Sequence, residues 1–200
     1  MNYKKILPKE PGNILPYKQY SVAIILHEIQ GKEYILLEKR SPLLAYQPSE
    51  ISLPGGKIEA GETKEEAAVR ESCEELLLRT QELEVYGQLD SLHTPYGIEV
   101  SVFFMRLHRQ ERISKWNDAE VQEVFYFPLE KLLKKVPTYF VETAHIFDED
   151  FPFEYIQGGK DYPFKTMKLP YYFYPVEDTW IWGLTARILH YFGEKIKEIS

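Results

Sequence analysis

Gly56-Lys57-Ile58-Glu59-Ala60-Gly61-Glu62 is followed, after seven residues, by Arg70-Glu71-Ser72-Cys73-Glu74-Glu75. Thr63 with Glu66 three residues on is a capping box, which predicts a helix that starts at Thr63 and carries Lys64 onward. At about 100° per residue, Glu71, Glu74 and Glu75 fall within one arc of roughly 100°, and Val69, Ser72, Cys73, Leu76 and Leu77 fall broadly opposite. One face is expected to pack and the other to present acid to solvent. Glu71 repels Glu75 and Glu74 by about 0.2–0.5 kcal/mol each, offset in part by i,i+4 pairing of Glu66 with Arg70 and of Arg70 with Glu74.

Three glutamates alone read as a solvated helix face. The preceding loop changes that reading. Leu53-Pro54-Gly55-Gly56, with Gly61 just before the cap, forms a tight glycine-bearing connection from an apolar segment into the helix. Gly55 and Gly56 let the backbone come close to a bound ion or phosphate. Hard carboxylate oxygens in such a setting suit Mg²⁺ or Mn²⁺.

These residues resemble the Nudix box, G-x5-E-x7-R-E-U-x-E-E-x-G-U, where U is a bulky aliphatic. Gly56, Glu62, Arg70, Glu71, Glu74, Glu75 and the aliphatic Leu78 fall at its positions. Ser72 replaces an aliphatic and Leu77 replaces glycine, so the helix is expected to run on slightly past the usual stop. The resemblance implies an α+β protein, a Nudix-type α/β/α sandwich around a mixed sheet. It also implies metal-dependent cleavage of a phosphoanhydride, with Mg²⁺ or Mn²⁺ held by Glu71, Glu74, Glu75 and the Gly55 carbonyl. Arg70, within reach of Glu66 and Glu74, is expected to orient carboxylates rather than touch phosphate. The water-activating base is either a box glutamate or a distant acid; Glu120 and Glu123 are the distant candidates, with Glu120 in the family-like place before a strand. A Nudix module that senses a nucleotide without cleaving it is the rival reading. The intact box glutamates and the lack of a basic winged-helix extension favour an enzyme.

Two hundred residues with 44% hydrophobic content suffice for one domain, residues 1–200, with no internal repeat. A net charge of −7 argues against a general nucleic-acid surface and requires local cations to draw in an anionic substrate. The single cysteine, Cys73, forms no intramolecular disulfide and reads as a packed small hydrophobe. The first residues lack the apolar core of a signal peptide, and no apolar run is long enough to span a membrane. The chain is therefore expected to be soluble and cytoplasmic. Five scattered histidines make no zinc-ligand spacing, and no Gly-Lys-Ser/Thr loop or legible Ser-His-Asp set competes with the acidic helix.

Pro8, Pro11 and Pro16 mark residues 1–18 as an extended arm. Strands are expected at 21–26 and 34–38, joined through Gln30-Gly31-Lys32, then at 84–92, 99–107 and 121–127, with a turn at Thr94-Pro95-Tyr96-Gly97 and a short helix after Pro128. Residues 136–175 hold twelve Tyr and Phe. A layer of core and dimer-interface aromatics and a substrate-facing wall are both open for them. That many aromatics exceed what one small core hides, which predicts a homodimer. Asp178-Thr179 reads as the cap of a last helix over 180–197, with Gly183 inside it.

Upstream of the box, Leu36-Leu37-Glu38-Lys39-Arg40-Ser41 resembles the LL-T-x-R-S-x3-R-x3-G-x3-F-P-G-G extension of coenzyme A pyrophosphatases, and Trp182-Gly183-Leu184-Thr185-Ala186-Arg187 resembles their C-terminal helix. Ala45, Ser49 and Leu53 depart from it. The resemblance implies coenzyme A or an acyl-coenzyme A as the small-molecule nucleotide substrate, with Arg40 as the remaining loop cation. ADP-ribose or another dinucleotide is the alternative.

Overall fold

The computed structural model describes residues 17–134, 136 and 138–199. The expected N-terminal arm lies outside them, except that Lys18 already belongs to the first strand. The chain divides into two compact units, residues 1–131 and 132–200.

In the first unit, β1 (Lys18–Ile29) is the centre of a mixed eight-stranded sheet. Its Ala23–His27 stretch is buried on both faces, as a near-continuous apolar run requires of a central strand. β1 turns through Gln30 and Gly31, both at positive φ, into antiparallel β2 (Lys32–Arg40), the hairpin expected from sequence. Between β2 and the helix lie β3 (Ile51–Ser52), paired with β2, and β4 (Gly55–Lys57), paired with the start of β1. After the helix come β5 (Leu83–Gln88), β6 (Leu92–His93) and β7 (Ile98–Leu107); β7 runs parallel to β1 and antiparallel to the other two. β8 (Val121–Pro128) pairs antiparallel with the far side of β2. Strands thus cluster rather than alternate with helices, the α+β class the sequence predicts.

Helix α1 (Lys64–Leu76) carries both hydrogen bonds of the Thr63–Glu66 capping box, a device that contributes about 1 kcal/mol. Ala67, Ala68, Ser72, Glu75 and Leu76 form its buried face, and the two alanines leave room for a close approach to the sheet. Ser72 is fully buried where an aliphatic is usual, and its hydroxyl donates to the Ala68 carbonyl at 2.7 Å. Two expectations fail here. Leu77 does not extend the helix: it takes the left-handed conformation itself (φ 48°) and is exposed, because the N–H bonds of Leu77 and Leu78 to Cys73 close the end without glycine. Glu75 is not on the solvent side but only 3% exposed.

In the second unit, β9 (Thr138–Glu142) pairs with β10 (Lys168–Tyr172), and β11 (Tyr174–Val176) with β12 (Thr179–Ile181). Asp178 and Thr179 therefore belong to a tight hairpin and do not cap a helix. The β-branched and aromatic run Thr179-Trp180-Ile181 prefers a strand. Helix α2 runs Gly183–Ile199, and Gly183 opens it at φ +64° instead of lying inside it. Its buried face is Ala186, Ile188, Leu189, Phe192 and Gly193; a Cβ at Gly193 would stand 3.2 Å from Leu132 Cγ. Phe147, Phe151, Phe153 and Phe164 gather with ring centroids 4.8–5.0 Å apart for the closest pairs. Tyr139 and Phe140 on β9 remain exposed.

Candidate active site

Every residue singled out as a site candidate lies in the first unit, on α1, the β2 end, β4, the turn before β8, or β8 itself. Antiparallel pairing of β4 with β1 threads the glycine pair beneath the helix. Gly55 stands at φ +147°, where a Cβ would run into the Ser21 carbonyl and the Val22 backbone. Its N–H donates to Glu75 Oε2 at 2.8 Å, so the buried glutamate is fixed from the loop side. At Gly56 a Cβ would meet the Glu71 carboxylate. Glycine here keeps space for an acid.

Arg70 gathers the acids on the other flank. Its Nε and Nη2 donate to the two oxygens of Glu62 at 3.0 and 2.8 Å, and Nη1 donates to Glu71 Oε1 at 2.9 Å and Glu74 Oε2 at 3.1 Å. Nη2 also reaches the Lys57 carbonyl. Glu66, the partner expected from helical spacing, is instead occupied by the capping box. Arg70 thus ties the box loop to two helix glutamates through a fork geometry that lysine does not have.

The oxygens of Glu71, Glu75 and Glu120 converge within 4.8 Å of one another. Glu120 gets there through a turn anchored on both sides: the Asn117 N–H donates to the Glu75 carbonyl at 2.9 Å, and the Ser41 N–H donates to the Glu120 carbonyl at 2.7 Å. Glu74 does not join the trio; it is exposed and tethered to Arg70. Glu123 is exposed on β8 and paired across to Lys39. Arg40 lies at the β2 bulge, its Nε enclosed without a hydrogen-bond partner among the described residues.

Glu38 was read from sequence as part of a strand and of the Leu36–Ser41 stretch, with no role of its own. It is fully buried, its carboxyl touches that of Glu75, and Ser52 Oγ donates to its Oε1 at 3.1 Å. The signal available was a charge ending the apolar run Ile35-Leu36-Leu37. Burial is the largest cause that raises the Glu38, Glu75 and Glu71 carboxyls above the ordinary range, and for Glu75 the neighbouring Glu38 adds to it. Glu62, gripped by Arg70, is instead lowered to about 2. A set of enclosed carboxyls that resist ionisation is what a divalent cation would relieve, and an all-oxygen donor set suits Mg²⁺ or Mn²⁺.

The NUDIX domain family matches residues 17–148. The chain belongs to the Nudix family. It is 34% identical over 118 residues to Nudix hydrolase 3 of Caenorhabditis elegans, covering 58% of this chain and 49% of that protein. It is also 34% identical over 127 residues to the mouse peroxisomal coenzyme A diphosphatase NUDT7, covering 60% of this chain and 50% of that one. Against an uncharacterized Nudix hydrolase NudL of Photorhabdus laumondii the likeness is 24% over 192 residues, 96% of this chain and 92% of the other. The chain thus spans about half the length of the worm and mouse relatives. Within the Nudix frame, the residues gathered around Arg70 are the box itself.

Proposed function

We propose that the chain is a hydrolase that cleaves the pyrophosphate bond of a nucleoside diphosphate derivative, with coenzyme A or an acyl-coenzyme A as substrate and 3′,5′-ADP and (acyl)phosphopantetheine as products. The observation that carries the reading is the convergence of Glu71, Glu75 and Glu120 beside a glycine loop, within a Nudix family member. Glu71, Glu75 and Glu120 would hold Mg²⁺ or Mn²⁺, with Gly55 lending its carbonyl and Glu74 joining by turning from Arg70. When bound, the cation would neutralise the bridging phosphate charge and lower the pKa of a bound water.

The protein's own groups then have distinct work. Arg70 holds Glu62 and Glu71 in place, so these two carboxylates need little reorganisation when substrate arrives. Glu120, anchored from two sides but half-exposed, is placed to accept a proton from the attacking water. Gly56, with no side chain, leaves the space over the loop that the Glu71 carboxylate occupies. Arg40, half-buried at the end of β2, supplies a guanidinium donor for a substrate phosphate. The likeness to the mouse coenzyme A diphosphatase and the Leu36–Ser41 stretch support coenzyme A. Ala45, exposed where the related pattern has arginine, favours ADP-ribose as the second reading.

A panel of coenzyme A, acetyl-coenzyme A, ADP-ribose, NADH and nucleoside triphosphates with Mg²⁺ or Mn²⁺, products read by mass, tests this. Release of 3′,5′-ADP and 4′-phosphopantetheine is expected. A kcat/KM for ADP-ribose tenfold above that for coenzyme A would sink the coenzyme A assignment.

A further inference from the structure

Glu38 is the one enclosed carboxyl near the converging trio that the Nudix box does not include. Three fully buried aliphatics precede it on β2, so an apolar side chain would fit the local pattern, and a carboxyl there costs desolvation. Only half of it is compensated. Ser52 Oγ satisfies Oε1, while Oε2 is shut from solvent with no hydrogen-bond donor among the described residues. Its carboxyl abuts that of Glu75, whose own Oε2 is taken by the Gly55 N–H. An acceptor with an open lone pair, buried and facing a carboxylate, waits for a donor that arrives with something else.

The three oxygens that converge are those of Glu71, Glu75 and Glu120; Glu38 is not among them, but its carboxyl abuts that of Glu75. Mg²⁺ and its analogues keep several waters when bound by few carboxylates, and each such water is a strong hydrogen-bond donor. We propose that Glu38 is a positioning residue of the cation site: its free carboxylate oxygen accepts a hydrogen bond from a cation-bound water, adding a negative group beside the carboxylates that would ligate. The proposal rests on the metal reading of the site given above. It explains why an acid follows three buried aliphatics at a fully buried strand position, and why Ser52, on the adjacent strand, holds it.

Mn²⁺ binding to the metal-stripped chain without substrate, followed by the electron paramagnetic resonance signal of free Mn²⁺, is the test. Glu38→Gln keeps the shape and the Ser52 contact but removes the charge, and is expected to weaken Mn²⁺ about ten- to a hundred-fold. Ser52→Ala, at a half-buried position, loosens the same carboxylate without touching it and is expected to weaken Mn²⁺ several-fold; it carries the test should Glu38→Gln not fold. Glu71→Gln serves as the ligand control. If the wild type and both variants bind within twofold of each other while Glu71→Gln loses Mn²⁺, Glu38 is only a buried acid and the proposal is wrong, with the site reading intact. If the wild type takes up no Mn²⁺, both fall together.

Discussion

Gly55 and Gly56 are adjacent, yet the structure gives them separable tasks, and alanine at each should fail differently. Gly56 has a φ that any residue adopts. A Cβ there would lie 2.6 Å from Glu71 Oε2 and nearer still to Oε1 and Cδ. Restoring a contact of about 3.5 Å requires the carboxylate to move by about 1 Å. The atoms displaced are the end of a flexible side chain, so the fold should absorb the change within about 1 kcal/mol, or roughly 2–4 °C in Tm. A catalytic group shifted by about 1 Å costs on the order of 10²-fold in rate. Gly55→Ala, by contrast, meets the backbone of Ser21 and Val22 and forces a side chain to φ +147°. Backbone strain of about 1–3 kcal/mol translates into roughly 2–12 °C of Tm. Thermal melts and initial rates on purified variants decide it. A Gly56→Ala protein that retains full kcat/KM, or one whose Tm falls as far as that of Gly55→Ala, would refute the reasoning.

Arg70→Lys keeps the charge but not the fork that grips Glu62 while touching Glu71 and Glu74; kcat/KM should fall about 10–100-fold, and Mn²⁺ affinity with it, which an unchanged Mn²⁺ titration would contradict. Glu82 is lowered to about 2, first by the Arg79 N–H and then by the Arg109 and Arg79 side chains. Its folded pKa lies below the unfolded value of about 4.3, so its contribution is complete above that pH and is lost as pH falls toward 2. Urea midpoints of Glu82→Gln should therefore trail the wild type at pH 6 and trail it by clearly less at pH 3; a gap that widens in acid would reverse the sign. Light scattering at micromolar concentration should read twice the 23.6 kDa chain mass, with exposed Tyr139 and Phe140 in the contact; a clean monomer contradicts the homodimer.

What was legible in the sequence was legible because it is local. Thr63 and Glu66 cap α1 through contacts three residues apart, and Gln30-Gly31 turns a hairpin by its own backbone preference. Glu75 could not be placed correctly, since helical spacing sets it beside Glu71 and Glu74 but not the sheet that covers it. Glu38 looked like the polar end of a strand until β3 closed over it and brought Ser52 to its oxygen. Asp178-Thr179 has the composition of a cap, but cross-strand pairing of Val176 with Thr179 wins. Glu120 came from resemblance alone; its place depends on a turn held by Ser41 and the end of α1, more than seventy and forty residues away.

The central claim is that enclosed carboxylates on α1 run a cation-dependent cleavage of a pyrophosphate bond. The most direct measurement is the initial rate of coenzyme A or ADP-ribose hydrolysis by the metal-stripped chain as Mg²⁺ or Mn²⁺ is added, for the wild type and for folded Glu75→Gln. The account predicts no turnover before the cation, saturable turnover after it, and a loss of several orders of magnitude in Glu75→Gln. Turnover that ignores the cation, or a Glu75→Gln chain that works at the wild-type rate, would contradict it.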